Sequence, residues 1–123
     1  EALLKLGAYL SDDTYLKISK AMLENLPSDS FQNGPYYANW ASLMGLASKE
    51  PYEVAIVGAE AKAKSKALMK NFLPDVLLLG GNKNNLPLLE NKLVSGKTII
   101  YVCRNKVCKL PVLEVEQALR QLK

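Results

Sequence analysis

The spacing of apolar residues divides the chain near residue 50 into two unlike parts. In residues 1–49, apolar side chains recur at the spacing of amphipathic helices, for example at Tyr15, Ile18 and Met22. From Pro51 onward, short runs of consecutive apolar residues alternate with segments of helical period. We therefore expect residues 1–49 to be helical and residues 51–123 to form an α/β domain.

Two or three helices are predicted in the first part. A short segment over residues 3–10 is followed by a helix from about Asp13 to Leu26, which Pro27 ends. Pro35 suits the first position of a third helix. Aromatic side chains in that helix could line a sugar-binding cleft, but an aromatic stripe at helical spacing is more typical of a core, which we favour. These aromatic residues are Tyr36, Tyr37 and Trp40.

Three apolar runs in the second part predict β-strands. They are Glu53–Val57, Val76–Leu79 and Thr98–Val102. A helical pattern over Glu60–Phe72 separates the first two, and a right-handed crossover would make those two strands parallel. The predicted fold is a small three-layer βαβ-type domain, with a mostly parallel sheet of three strands plus a C-terminal cysteine hairpin. Further helices are expected over residues 86–93 and 113–122.

Both cysteines lie in the hairpin that is predicted to follow the third strand. Asn105 and Lys106 form its two-residue loop, since asparagine tolerates the positive φ that such loops require. Cys103 then faces Cys108 in a non-hydrogen-bonded pair, in which Cβ atoms come within about 4.5–5.5 Å. This separation permits a disulfide after a modest adjustment.

Three interpretations of Cys103 and Cys108 stay open. A structural disulfide would close a very short loop and so would gain little chain entropy. A redox-active pair is the second, because the nearby cations Arg104, Lys106 and Lys109 could lower the pKa of a thiol. Two reduced cysteines packed at a strand end are the interpretation that we favour. A zinc site is disfavoured, because two thiolates and no histidine leave at least two ligands to be found elsewhere.

Glycines mark a possible ligand-binding edge of the sheet. Gly58 follows the first strand and Gly80 and Gly81 follow the second, and open α/β sheets bind ligands at the carboxyl ends of parallel strands. A sugar or nucleotide could bind there. However, residues 58–61 lack the further glycines of a dinucleotide fingerprint, and Glu60 would repel a phosphate. Sharp exits from the strands are the favoured role of these glycines.

Composition narrows the classes of function. The net charge of +4 invites nucleic-acid binding, but the lysines are dispersed and only two arginines occur, which disfavours it. Lys62, Lys66 and Lys70 share one helical stripe, which we interpret as a solvated face. No apolar run is long enough for a membrane span. No secretory leader is recognised, so a cytoplasmic location is the default, and we expect the chain to be part of a longer polypeptide.

Several segments together carry a family resemblance. The most specific is YVCRN at residues 101–105, which is followed by Cys108 and by Pro111-Val112. The others are Tyr37 and Trp40, YEVAIVG at residues 52–58, FLP at 72–74, Leu88-Leu89 and Gly96-Lys97. In their order, these features resemble the C-terminal end of the YyaL family, also called spermatogenesis-associated thioredoxin-like proteins.

The resemblance implies a multidomain parent protein. Members of that family have an N-terminal thioredoxin-like domain, a middle (α/α)6 barrel similar to N-acylglucosamine 2-epimerases and six-hairpin glycosidases, and a small α/β tail. Residues 1–49 would be the last helices of that barrel, and its other domains would be the partners of this chain. No catalytic residue, cofactor or metal ligand carries over to a position here. The expected role is that of a non-catalytic module, with thiol–disulfide chemistry or ligand binding as alternatives.

Overall fold

The computed structural model describes residues 1–27, 32, 34–83 and 86–123. It divides into two compact units, Glu1–Glu50 and Pro51–Lys123. We call them the helical unit and the α/β unit.

The helical unit contains three helices, and a tight turn joins the first two. They are α1 (Ala2–Leu10), α2 (Asp13–Glu24) and α3 (Gly34–Ser48). Ser11 ends α1 in the left-handed conformation, at φ 54°. Asp12 then starts α2, because its side chain accepts a hydrogen bond from the Thr14 amide at 2.8 Å. The predicted second helix is therefore confirmed, and it ends at Glu24.

The helical unit buries little apolar surface. Among the described residues 1–50, Leu43 is the only apolar side chain that counts as buried. Tyr36 is 87% exposed, so the prediction that it belongs to a core is wrong, whereas Tyr37 and Trp40 are half-buried. Several large apolar side chains of α1 and α2 are also exposed. They are Leu6, Leu10, Ile18 and Met22.

The α/β unit is a mixed sheet with helices on one face. Its elements are β1 (Tyr52–Val57), α4 (Ala61–Leu68), β2 (Val76–Gly81), a 3-10 turn (Pro87–Leu89), β3 (Ile99–Arg104), β4 (Val107–Cys108) and α5 (Val115–Gln121). Within the described residues, the strands form one sheet in the order β2-β1-β3-β4. The α/β character expected from the sequence is thus present.

The direction of β3 differs from the prediction. β1 and β2 are parallel as expected, with Val54 opposite Leu78. β3 is antiparallel to β1, with Val54 opposite Val102, so the mostly parallel sheet was a wrong prediction. A parallel β3 would need a crossover to the opposite end of the sheet. In the described part of the connection from β2 to β3, only the 3-10 turn Pro87–Leu89 forms, and the helix predicted over residues 86–93 is absent.

The two faces of the sheet are covered differently. Helices α4 and α5 cover one face and share a core with the even-numbered residues of β1 and β3. That core contains Val54, Ile56, Ala61, Leu68, Ile100, Val102 and Ala118. Residues 86–95, which we call the covering segment, bring the buried Leu88 and Leu89 to β1 on the other face. The unit therefore has helices on one face and an irregular segment on the other, instead of three regular layers.

Both flanking helices form where the sequence predicts them, but they are shorter than predicted. α5 begins with a capping box between Glu114 and Gln117, which is why it starts slightly later than residue 113. α4 is shorter than predicted and ends at Leu68. The stripe of Lys62, Lys66 and Lys70 is exposed, as its interpretation as a solvated face requires.

Candidate functional site

The loop of the cysteine hairpin has the predicted geometry. Asn105 and Lys106 have φ values of 53° and 62°, which is the pattern of a type I′ loop. Cys103 pairs with Cys108 directly across the two strands. The next pair out is hydrogen-bonded, since the Lys109 amide donates to the Val102 carbonyl at 2.9 Å. The cysteine pair is therefore the non-hydrogen-bonded one, where side chains lie closest.

A disulfide joins the two cysteines. Their Cα atoms are 3.8 Å apart and their sulfur atoms are bonded. The favoured interpretation of two reduced thiols does not describe this structure. The register that the sequence predicted is sufficient to bring the sulfurs together.

The two cysteines differ in their access to solvent. Cys103 lies in β3 between β1 and β4 and is only 1% exposed. Cys108 lies in the edge strand β4 and is exposed. Cys108 is therefore the more accessible residue of the pair.

An ammonium group lies beside the buried sulfur. Lys92 Nζ is 3.9 Å from Cys103 Sγ. The same Nζ donates to the Leu88 carbonyl at 2.6 Å, and the Tyr101 hydroxyl donates to the Lys92 carbonyl at 3.0 Å. The Nζ also lies 5.7 Å from the centre of the Tyr101 ring. Main chain and side chain of Lys92 are thus both held by the covering segment and β3.

Burial and a nearby carboxylate shift the pKa of Lys92 in opposite directions. Burial lowers the pKa of Lys92, and the negative charge of Glu53 partly opposes that shift. Glu53 lies in β1 directly opposite Cys103 in the ladder. The face of the sheet under the covering segment therefore brings a cation, a carboxylate and a sulfur together.

The cations named from the sequence are arranged differently. The Arg104 guanidinium lies 4.2 Å from the centre of the Tyr52 ring, and Lys109 Nζ lies 5.5 Å from it. Tyr52 packs against the core on the face that α4 and α5 cover. Arg104 and Lys109 are therefore on the face opposite to the disulfide, while Lys106 is in the exposed loop. Lys92, which the sequence analysis did not single out, supplies the charge at the sulfur.

The chain itself occupies the glycine edge at Gly58. The Gly58 amide donates to the Gly81 carbonyl at 2.9 Å, and the Glu60 amide donates to Thr98 Oγ1 at 3.0 Å. Gly58 has φ +133°, and a Cβ there would lie 2.6 Å from the Thr98 Cα. A Cβ on Gly80 would overlap the Ile56 carbonyl oxygen. Close approach of the backbone explains Gly58 and Gly80, whereas a Cβ on Gly81 would meet only the Lys83 amide nitrogen, at an ordinary contact distance of 4.0 Å.

Other kinds of site find little support in the described part of the chain. Within it, no three histidine, cysteine, aspartate or glutamate side chains gather as a metal site would require. No described helix is both long enough and apolar enough to cross a membrane.

No protein-family model, curated protein or solved structure matches this chain.

Proposed function

We propose that the α/β unit is a thiol–disulfide module in which Cys103 and Cys108 alternate between a disulfide and a dithiol. One observation carries the proposal: the disulfide joins Cys108, an exposed residue, to Cys103, a buried residue whose sulfur has the Lys92 ammonium 3.9 Å away. Exchange needs a sulfur that a thiolate can reach and a second sulfur that leaves readily as a thiolate. The hairpin supplies both.

As a purely structural cross-link, this disulfide would add little stability to the hairpin. The cysteines are 5 residues apart, and closing such a short loop contributes only about 2 kcal/mol of chain entropy. The type I′ loop and the ladder already fix the register of the hairpin. Exposed disulfides are also the labile ones. The cytoplasmic location expected from the sequence would add to this, since cytosolic disulfides are usually transient and redox-active.

The decisive measurement is the reduction potential of the Cys103–Cys108 bond. The whole chain is equilibrated in glutathione redox buffers, and the fraction oxidised is read from the Cβ chemical shifts of both cysteines. We expect a potential above about −270 mV, in the range of exchange-active disulfides. A potential below about −300 mV is typical of structural disulfides and would overturn the proposal. The Cys103→Ser/Cys108→Ser double variant is the control and must show no transition.

We also propose that the helical unit forms the end of a larger (α/α)6 barrel in a YyaL-like polypeptide, which the module closes and contacts. Its support is the exposure of Ile18 and Met22, at 44% and 47%, on one face of α2. In the parent polypeptide, Ile18→Ser and Met22→Ser should each destabilise the barrel by about 2 kcal/mol or more. In this chain alone the same changes should be nearly neutral. Equal effects in both contexts would contradict the proposal.

A further inference from the structure

We infer that exchange at this pair has a fixed direction: an incoming thiolate attacks Cys108 Sγ, and Cys103 leaves as a thiolate held by Lys92. This inference rests on the proposed function, because it assigns roles within the same disulfide. It makes Cys103 the leaving sulfur, and Lys92 the residue that positions a positive charge at it.

Access decides which sulfur is attacked. A thiolate approaches a disulfide sulfur from the side opposite to its bonded partner. For Cys108, in the exposed edge strand β4, that side faces away from the sheet. For Cys103, the side away from β4 is occupied by β1, where Glu53 is its ladder partner.

The charges around Cys103 favour its departure. From the covering segment, Lys92 Nζ lies 3.9 Å from Cys103 Sγ, and its bond to the Leu88 carbonyl keeps it there. From β1, Glu53 faces the same region and helps to keep Lys92 protonated against the effect of burial on its pKa. From β3 itself, the Tyr101 ring lies beside the ammonium. A thiolate formed on Cys103 therefore lies beside the Lys92 ammonium.

The exchange balances as two thiolate displacements. An external thiolate forms a bond to Cys108 Sγ, and the bond between the two cysteines breaks with its electron pair going to Cys103 Sγ. A second external thiolate then attacks the sulfur of the first external molecule in the mixed disulfide and releases Cys108 as a thiolate. Two external thiolates are oxidised to one disulfide, and the protein disulfide is reduced to two thiolates. Cys103 stays ionised beside Lys92, and Cys108 takes up a proton from solvent, to which the external thiols had lost theirs. In the opposite direction, Cys103 is the resolving thiolate.

The first test measures the pKa of the Cys103 thiol in the reduced chain from its Cβ chemical shift against pH. An opposite charge at this distance lowers a thiol pKa by about 1–3 units, so Lys92→Met should raise the Cys103 pKa by that amount. Lys92→Gln is the second neutral variant, and Lys92→Arg should restore the low value. Lys109→Met is the matched control, because it removes a cation from the opposite face and should leave the Cys103 pKa unchanged. An unmoved Cys103 pKa in both neutral variants would overturn the role of Lys92.

The second test compares the two sulfurs directly. Oxidised glutathione is added to the Cys103→Ser and Cys108→Ser chains, and the initial rate of mixed-disulfide formation is followed by mass spectrometry. Cys108 in the first variant should react at least tenfold faster than Cys103 in the second at a pH where both are ionised. Equal rates, or faster reaction at Cys103, would reverse the assigned direction. Both tests use free thiols, so their outcome is independent of the reduction potential. They can contradict the assigned direction while the potential supports exchange, and a potential below the range of exchange-active disulfides can contradict the proposed function while both tests agree with the direction.

Discussion

At the scale of single residues, Gly80 shows how close the strands of the α/β unit approach each other. A methyl group at Gly80 would overlap the Ile56 carbonyl oxygen of β1, while one at Gly81 would have only the Lys83 amide nitrogen at 4.0 Å. Gly80→Ala should therefore destabilise the α/β unit by about 1–3 kcal/mol. Gly81→Ala, its neighbour, should stay within about 0.5 kcal/mol. Urea unfolding followed at the amides of β1 measures both, and a similar loss in the two variants would contradict the explanation.

The lowered pKa of Lys92 predicts how the unfolding free energy changes with pH. Burial lowers its pKa below the value of 10.5, so between the folded-state pKa and 10.5 the unfolded chain binds more protons than the folded one. The unfolding free energy should therefore rise with pH across that window. Lys92→Met removes this contribution, and its stability should increase less over the same range. Urea unfolding of both oxidised chains at a series of alkaline pH values, without added thiol, tests this, and parallel pH profiles would rule it out.

The sequence predicts the position of the cysteines better than their surroundings. A two-residue loop at Asn105 and Lys106 fixes which residues face each other, so the pairing of Cys103 with Cys108 could be read from local chemistry alone. The alternation of side chains along a strand also indicates that Arg104 points away from Cys103. The approach of Lys92 could not be predicted, because it depends on how the covering segment folds back over β1.

At the scale of elements, the hairpin loop is held against the preference of Lys106. This residue adopts φ 62°, a conformation that costs a residue with a side chain about 1 kcal/mol relative to glycine. Lys106→Gly should therefore stabilise the hairpin by up to about 1 kcal/mol, less the entropy that glycine gains in the unfolded chain. Lys106→Ala is the control, since it removes the charge but keeps the conformation. Hydrogen exchange at the Lys109 amide measures the effect, and equal protection in both variants would speak against it.

Sequence patterns predict the strands of the sheet but not the direction of every strand. An apolar run such as residues 98–102 identifies a buried strand, but its composition is the same whichever way the strand runs. The crossover helix α4 makes β1 and β2 parallel, and this could be predicted from the helical period between them. β3 depends on the connection from residue 82 to residue 98, where Pro87 and the positive φ of Asn91 favour turns over a helix.

At the scale of the whole molecule, the two units differ in how much core they contain. The α/β unit buries most of the apolar side chains that the structure describes as buried, including Val54, Ile56 and Ile100, which are fully inaccessible. Residues 51–123 expressed alone should therefore unfold cooperatively, with dispersed amide signals. Residues 1–50 alone should show weak and non-cooperative helix by circular dichroism, because they bury little apolar surface. Cooperative unfolding of the 1–50 fragment would contradict this difference.

Pairing of the hairpin extends beyond its sulfurs. Ile100 and Val112 exchange two backbone hydrogen bonds, at 2.8 and 3.0 Å, further along the outer side of β3. Together with the bond from Lys109 to Val102, these contacts hold the strand segment whether or not the sulfurs are bonded. Reduction should thus leave Cys103 and Cys108 as neighbours at high effective concentration. When Cys108 has formed a mixed disulfide with an external molecule, closure by Cys103 is a local event within one chain, and it can outpace attack on the mixed disulfide by a second external thiol.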